Sequence, residues 1–323
     1  MSSVLKKIPE LLKISGRLHF VGLFLITFLI LFLRWGYQYG SGDQVEILPY
    51  ALKIQNPDLY INDLFINHLS DTPFNQRWAI GHLLSWFGEG IKIGTYVLFL
   101  VTLYFLILGL YRIARFFNLG IWSAFLFVLV ALLFSQGWSP GGNDLYSPTF
   151  IPDSVAKPLL VWALYFFLNR LKTHSFLLIG FATLFQPLMG FQMFVLVGLS
   201  DLIGNRNILN SAKNTIAYML AGGWLFGVLM ISYFSGVSEV EMPQLFEIYF
   251  GFRAPHHFLP SYFMGAYSYV FFLVLGLALL YFYDRLPEIF WFLIVLLVGC
   301  IVYAVGVEVF HSTTIASTQW FKV

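Results

Sequence analysis

The most restrictive feature of this chain is a series of apolar runs, each close to the roughly 20 residues that a helix needs to cross a bilayer. They cover Leu18–Leu33, Gly94–Phe117, Leu119–Gln136, Val155–Asn169, Ala212–Phe234, Ser261–Tyr283 and Pro287–Val307. The pattern predicts an all-α protein, a polytopic transmembrane helix bundle forming a single domain over residues 1–323. Composition agrees, because only 11% of residues are charged where a soluble domain carries about 25%. The 36 Phe, 18 Tyr and 9 Trp suit contact with lipid tails and interfaces. Cys300 is the single cysteine and lies in an apolar run, which excludes an intramolecular disulfide and a cysteine-based metal site.

The first run follows Lys6, Lys7, Lys13 and Arg17. It lacks a small-residue cleavage site and runs into Arg34-Trp35-Gly36-Tyr37, so it reads as an uncleaved span with an interfacial anchor. Val4–Leu18 mixes Leu, Ile and Lys at helical spacing, as expected of an amphipathic helix lying on the inner surface.

Between Thr173 and Leu202 an apolar stretch is broken by Gln186-Pro187, where proline removes a backbone donor. A single crossing here would place Arg206 and Lys213 outside and invert all later loops. A re-entrant hairpin over residues 173–203 keeps Arg112, Arg115, Arg170, Lys172, Arg206, Lys213 and Arg285 inside with the N-terminal cations. Beside them lie only Glu10, Asp201, Asp284 and Glu288 of the 16 carboxylates. The positive-inside rule selects the hairpin and a cytoplasmic N-terminus. The outer segments are then 38–93, 137–154, 235–260 and the tail from Glu308, whose final Trp320-Phe321-Lys322-Val323 reads as the approach to a further element.

Those outer segments hold most groups capable of chemistry. Asp43, just past the first span, can act as a partly desolvated base, or can be a solvated loop acid or helix N-cap. Helices are expected over Asp43–Gln55 and Gln76–Phe87, the second with Trp78, Leu83 and Trp86 suited to the interface. Asn56–Asp63 is rich in turn residues and ends in Asp63, a second acid that could share acid–base work or bind a divalent cation such as Mg or Mn. Ser139–Pro148 contains glycines beside Asn143 and Asp144, which could approach a phosphate or simply connect two spans. Asp153 and Lys157 stand at i, i+4 spacing; they can pair with each other, or Lys157 can meet a lipid phosphate. Arg253-Ala254-Pro255-His256-His257 offers a planar fork and two imidazoles between prolines, either a phosphate site or an interfacial anchor. Glu308 and His311 close the last span. No Walker pattern or nucleic-acid-binding signature is present.

The inner N-terminus, the first span and the acid in Gly42-Asp43-Gln44-Val45-Glu46 resemble the GT-C superfamily of polytopic membrane glycosyltransferases. That class commonly carries an Asp-Glu pair where this chain has Asp43-Gln44. The broken span and the loop helices also fit, and the Arg253–His257 segment resembles a motif of bacterial membrane proteins with this architecture. The resemblance implies sugar transfer from a polyprenyl-phosphate carrier to an unknown acceptor at the extracytoplasmic face of a bacterial plasma membrane. It implies Asp43 and Asp63 as catalytic residues, and Arg253, His256, His257, Asn143, Asp144 and Lys157 as contacts of substrate and phosphate. Two rivals are a transporter or flippase, which needs ionisable groups near mid-membrane, and a non-catalytic scaffold.

Overall fold

The long segments are apolar on every side. In α1 (Arg17–Leu33), for example, Leu23 and Ile30 are buried while Phe24, Leu25 and Phe32 are exposed. A helix hydrophobic all round is one that faces lipid where it does not face protein. A computed structural model describes residues 17–34, 36–138, 144–235, 244 and 246–320. The surface helix expected over Val4–Leu18 lies outside them up to position 16, as does Asn143.

After α1 come three short helices, α2 (Gln44–Gln55), α3 (Leu64–Asp71) and α4 (Trp78–Ser85). The long elements follow: α5 (Ile91–Phe116), α6 (Ile121–Trp138), α7 (Pro152–Leu168), α8 (Lys172–Phe185) and α9 (Pro187–Asn205). Then α10 (Ile208–Tyr218) passes through a π-helical stretch, Met219–Gly223, into α11 (Trp224–Ser235). Last are α12 (Ala266–Phe282), α13 (Pro287–Glu308) and α14 (Thr313–Ser317). No strand occurs among the described residues. Four of the described helices are long and apolar enough to cross a membrane: Gly88–Phe116, Pro187–Gly204, Ile208–Ser232 and Pro287–Glu308. Three shorter apolar helices, Val21–Leu33, Ile121–Phe134 and Ser268–Phe282, accompany them.

Specific contacts give the helix directions. Arg34, at the end of α1, pairs with Asp144 just before α7. At the opposite end Arg170 pairs with Glu288, Lys172 with Asp201, and Phe117 meets Phe282. The bundle thus has an Asp153 end and a Lys172 end, and the long helices run back and forth between them. Arg115, Arg206, Lys213 and Arg285 belong by chain order to the Lys172 end.

The segment broken at Gln186-Pro187 is a hairpin of two antiparallel helices. Phe176 meets Phe194, Lys172 pairs with Asp201, and Gly190 lies so close to Thr183 that a Cβ there would stand 2.6 Å from its Cα. Without a hydrophobic driving force in lipid, such small-residue contacts are what let helices associate. The arms are unequal, 14 and 19 residues, and the tip lies at the Asp153 end. A second close approach sits at Gly222, whose φ of +146° only glycine adopts easily and which packs against Gly180 and Leu184.

Among the described residues, three larger hydrophobic clusters hold most of these elements, beside two smaller ones. One joins α1, α2, α4, α5 and α6 around Leu23, Ile47, Leu84, Ile107 and Val128. The second joins α7 to α10 around Phe167, Phe176, Ile179 and Tyr218. The third sets Phe246, Phe250 and Phe258 against Cys300, Tyr303 and Val307 of α13. Beyond α13 the tail turns back, with Ile315 over Gly306 and the Tyr303 hydroxyl donating to Ala316 O.

Candidate functional site

At the Asp153 end, four segments bring polar side chains into one connected group. Asp153 lies in the first turn of α7, where the helix N-terminus favours an acid. One carboxylate oxygen accepts from Gln186 Nε2 at 2.7 Å, and the other meets Lys157 Nζ at 3.0 Å. Lys157 Nζ also donates to the backbone oxygen of Asp144 at 2.6 Å. Both terminal nitrogens of Arg34 reach Asp144 Oδ1, at 3.3 and 3.2 Å. Each of these charged side chains is half-buried or more, so pairing is what makes their presence here tolerable.

The backbone around this group is fastened to the exit of α1. The Tyr146 hydroxyl donates to Gly36 O at 2.9 Å, and Gln38 N donates to Pro148 O at 2.8 Å. Gln44 is fully buried: its Nε2 donates to Phe150 O at 3.0 Å while its Oε1 accepts from Gly40 N at 2.8 Å. Burial pushes the Tyr146 hydroxyl well above its ordinary pKa, against a smaller opposing pull from Arg34.

Beside Asp153 and Lys157 is a cavity of about 20 Å³, which also touches Thr102, Ser147, Ser154 and Pro158. That is room for one water molecule. Thr102 and Pro158 are shared with a second, larger space. This is an apolar groove of about 380 Å³ between α5 and α7, lined by Phe105, Val155, Leu159, Trp162, Phe166 and Leu178. Its volume lies within the range of small-molecule sites, about 300–1,000 Å³. The groove lies along α7 from Val155 to Phe166, and Thr102 and Pro158 stand between it and the small cavity.

The candidates read from sequence fall into three places. Asp144 and Lys157 belong to the polar group itself. Asp43 lies at the same end, joined to it through its neighbour Gln44. Its side chain does not cap α2; Oδ2 faces Arg77 at 3.5 Å, and Arg77 also holds Glu46 at 3.2 Å. Asp63 caps α3, accepting from Ile66 N at 3.0 Å.

Arg253, His256 and His257 are exposed and rest on the third cluster rather than the first. By the direction of α13 they too belong to the Asp153 end, since Glu308 at its close accepts from Ser261 N at 2.6 Å. The segment is not extended: Phe246–Arg253 is π-helical, Pro255–Phe258 forms a helical turn, and the two imidazoles lie 4.1 Å apart between centroids. The Arg253 guanidinium lies 5.7 Å from the Tyr249 ring centroid.

Four participants, Arg34, Arg77, Gln44 and Gln186, carry no local motif that assigns them. Pro187 marks where Gln186 leaves its helix, but not what it reaches. Among the described residues no group of three His, Cys, Asp or Glu side chains is placed to hold a metal ion.

These features define a polytopic all-α membrane protein with a polar group at one end and an apolar groove between α5 and α7. No protein-family model, curated protein or solved structure matches the chain.

Proposed function

We propose that this protein is an integral-membrane glycosyltransferase that takes a sugar from a polyprenyl-phosphate carrier. The observation that carries the reading is an apolar groove between α5 and α7 that shares Thr102 and Pro158 with the small cavity beside the Lys157–Asp153 pair. A prenyl chain is apolar along its length and ends in a single phosphate, so it needs a greasy channel terminating at a cation. Of the three N–H groups on the Lys157 ammonium, Asp153 and Asp144 occupy two. The third is left to meet a phosphate oxygen.

In the reaction, an acceptor hydroxyl oxygen bonds to the anomeric carbon as the bond from that carbon to the phosphate oxygen breaks. The bonding pair leaves with the polyprenyl phosphate, and the hydroxyl proton passes to Asp43. Asp43 suits the base role because Arg77 engages one of its oxygens while the side chain stays 53% exposed, leaving the other oxygen open to an acceptor. A positioned base contributes about 10²–10⁴ in rate. Neutralising the departing phosphate is an electrostatic contribution of the kind that is often larger. Arg253, with the His256 and His257 imidazoles beside it, offers further donors at that end. In this reading the Lys172 end, richer in Lys and Arg, faces the cytoplasm of a bacterial cell.

Full-length protein reconstituted with polyprenyl-phosphate sugars tests this directly. Asp43→Asn should abolish transfer with unchanged thermal stability; turnover at the parent rate removes Asp43 as base. Arg253→Lys, which replaces a planar fork by a point charge, should weaken carrier binding if Arg253 holds the phosphate, and leave it unchanged otherwise.

A transport reading has one feature in its favour, since the helix breaks at Gln186-Pro187 and Gly222 resemble the discontinuous helices of transporters. Against it, the ion pairs sit at the two ends of the bundle rather than midway. Movement of labelled carrier across sealed vesicles without sugar transfer would favour it.

A further inference from the structure

Between α2 and α3 the chain makes a turn held by internal hydrogen bonds. Lys53 Nζ donates to Pro57 O and Leu59 O, at 3.4 and 3.1 Å, and Asn67 Nδ2 donates to Ile61 O at 2.8 Å. Asp63 N donates to Tyr60 O at 3.0 Å, and the Asp63 carboxylate caps α3. Four carbonyls of the turn, those of Pro57, Leu59, Tyr60 and Ile61, are therefore satisfied from within. Leu59, Tyr60, Ile61, Leu64 and Phe65 are all exposed, Ile61 at 66% and Leu64 at 87%, with Asp58 and Asn62 exposed among them. The opposite face of α3 is already used, with Ile66 and Leu69 packed on Tyr50.

The base of the turn marks its level. Gln55 donates its side-chain amide to Ser85 O, next to Trp86, which is 82% exposed. Two residues later begins the membrane-length helix Gly88–Phe116, with Ile93, Val97 and Val101 exposed along it. The turn is thus anchored beside the start of that helix, and both carry exposed apolar side chains. Exposed tryptophan is characteristic of the membrane boundary.

We propose that the 59–65 turn is a membrane-dipping prong, with Ile61, Leu64 and Phe65 seated in the leaflet at the Asp153 end. Internally satisfied carbonyls and exposed apolar side chains are what such insertion needs, because lipid offers no hydrogen bonds to an open backbone. The prong holds α2 and α3, and with them Asp43 and Arg77, at a fixed depth. The inference is independent of the reaction proposed above.

The test uses the full chain with Cys300→Ala, labelled with an environment-sensitive fluorophore at Ile61→Cys, Leu64→Cys or, as an aqueous reference, Asp71→Cys. In phosphatidylcholine vesicles, labels at 61 and 64 should be quenched by brominated acyl chains, protected from aqueous iodide, and blue-shifted relative to position 71. Quenching by iodide with no response to bromine would show a turn in water and overturn the proposal. Protection from both quenchers would show a protein partner, such as a second copy, and would overturn it equally. Two label positions keep the test decisive if one variant does not fold.

Discussion

Gln186 and Asp153 lie 33 residues apart in sequence and are joined by a 2.7 Å hydrogen bond at one end of the bundle. The contact fixes the tip of the α8–α9 hairpin against the first turn of α7. It also leaves the second Asp153 oxygen for Lys157. A hydrogen bond to a charged partner contributes about 1.5–3 kcal/mol. Gln186→Ala should lower stability in detergent by about that amount, and Gln186→Glu by more, because it sets two carboxylates together. Thermal unfolding of the three proteins checks this, and equal midpoints would contradict it.

The other end of the hairpin depends on Lys172 and Asp201. Asp201 is almost fully buried and also accepts from Asn214 Nδ2 at 3.3 Å, while Thr173 donates to Asn214 Oδ1 at 3.0 Å. Removing one member of a buried pair costs about 3–5 kcal/mol, whereas removing both costs much less. Lys172→Met should therefore destabilise strongly, and the double variant Lys172→Met with Asp201→Leu should recover part of the loss. A double variant at least as unstable as the single one would contradict this account.

Gln44 stands where the resembled family commonly carries an acid, and its amide is spent on Phe150 O and Gly40 N. A carboxylate at this position would face Phe150 O with no proton to donate. Gln44→Glu should destabilise by about 1–3 kcal/mol, the cost of an unsatisfied buried group, and detach the Asp43 turn from the 144–151 loop. Increased protease sensitivity in that loop is the accompanying readout. Unchanged sensitivity would remove Gln44 as the strut.

Tyr146 supplies a pH prediction. Its pKa is raised in the fold, so it keeps its proton there while the unfolded chain loses it above about pH 10. The unfolded state then binds fewer protons, and stability falls as pH rises past that point. Near pH 7, Tyr146→Phe should cost about 0.5–1.5 kcal/mol through the lost bond to Gly36 O. Above pH 10 the gap between wild type and variant should narrow. A gap constant from pH 7 to 11 would contradict the shift.

Three of the four membrane-length helices were legible because an apolar run of bilayer length has few other uses; the fourth, Pro187–Gly204, read as one arm of the hairpin. The Asp153–Lys157 pair was legible too, since i, i+4 neighbours share a helix face. Arg34 looked like an interfacial anchor because its partner Asp144 lies 110 residues away, and no local pattern encodes such a distance. Helix α3 follows Asn56-Pro57-Asp58, whose turn signal masked the helix that Asp63 then caps. Arg253–His257 read as a phosphate site or an interfacial anchor between prolines, and its local shape was not legible. Pro255 occupies the first position of a short helical turn, where its missing N–H costs nothing.

Photocrosslinking tests the central claim most directly. Reconstituted full-length protein is irradiated with a polyprenyl monophosphate carrying a photoreactive group in its chain, and labelled peptides are mapped by mass spectrometry. Saturable labelling of the groove at Phe105, Leu159 and Trp162, lost in Lys157→Met but retained in Asp43→Asn, is the predicted result. Labelling that misses the groove between α5 and α7, or that persists undiminished in Lys157→Met, would contradict the account.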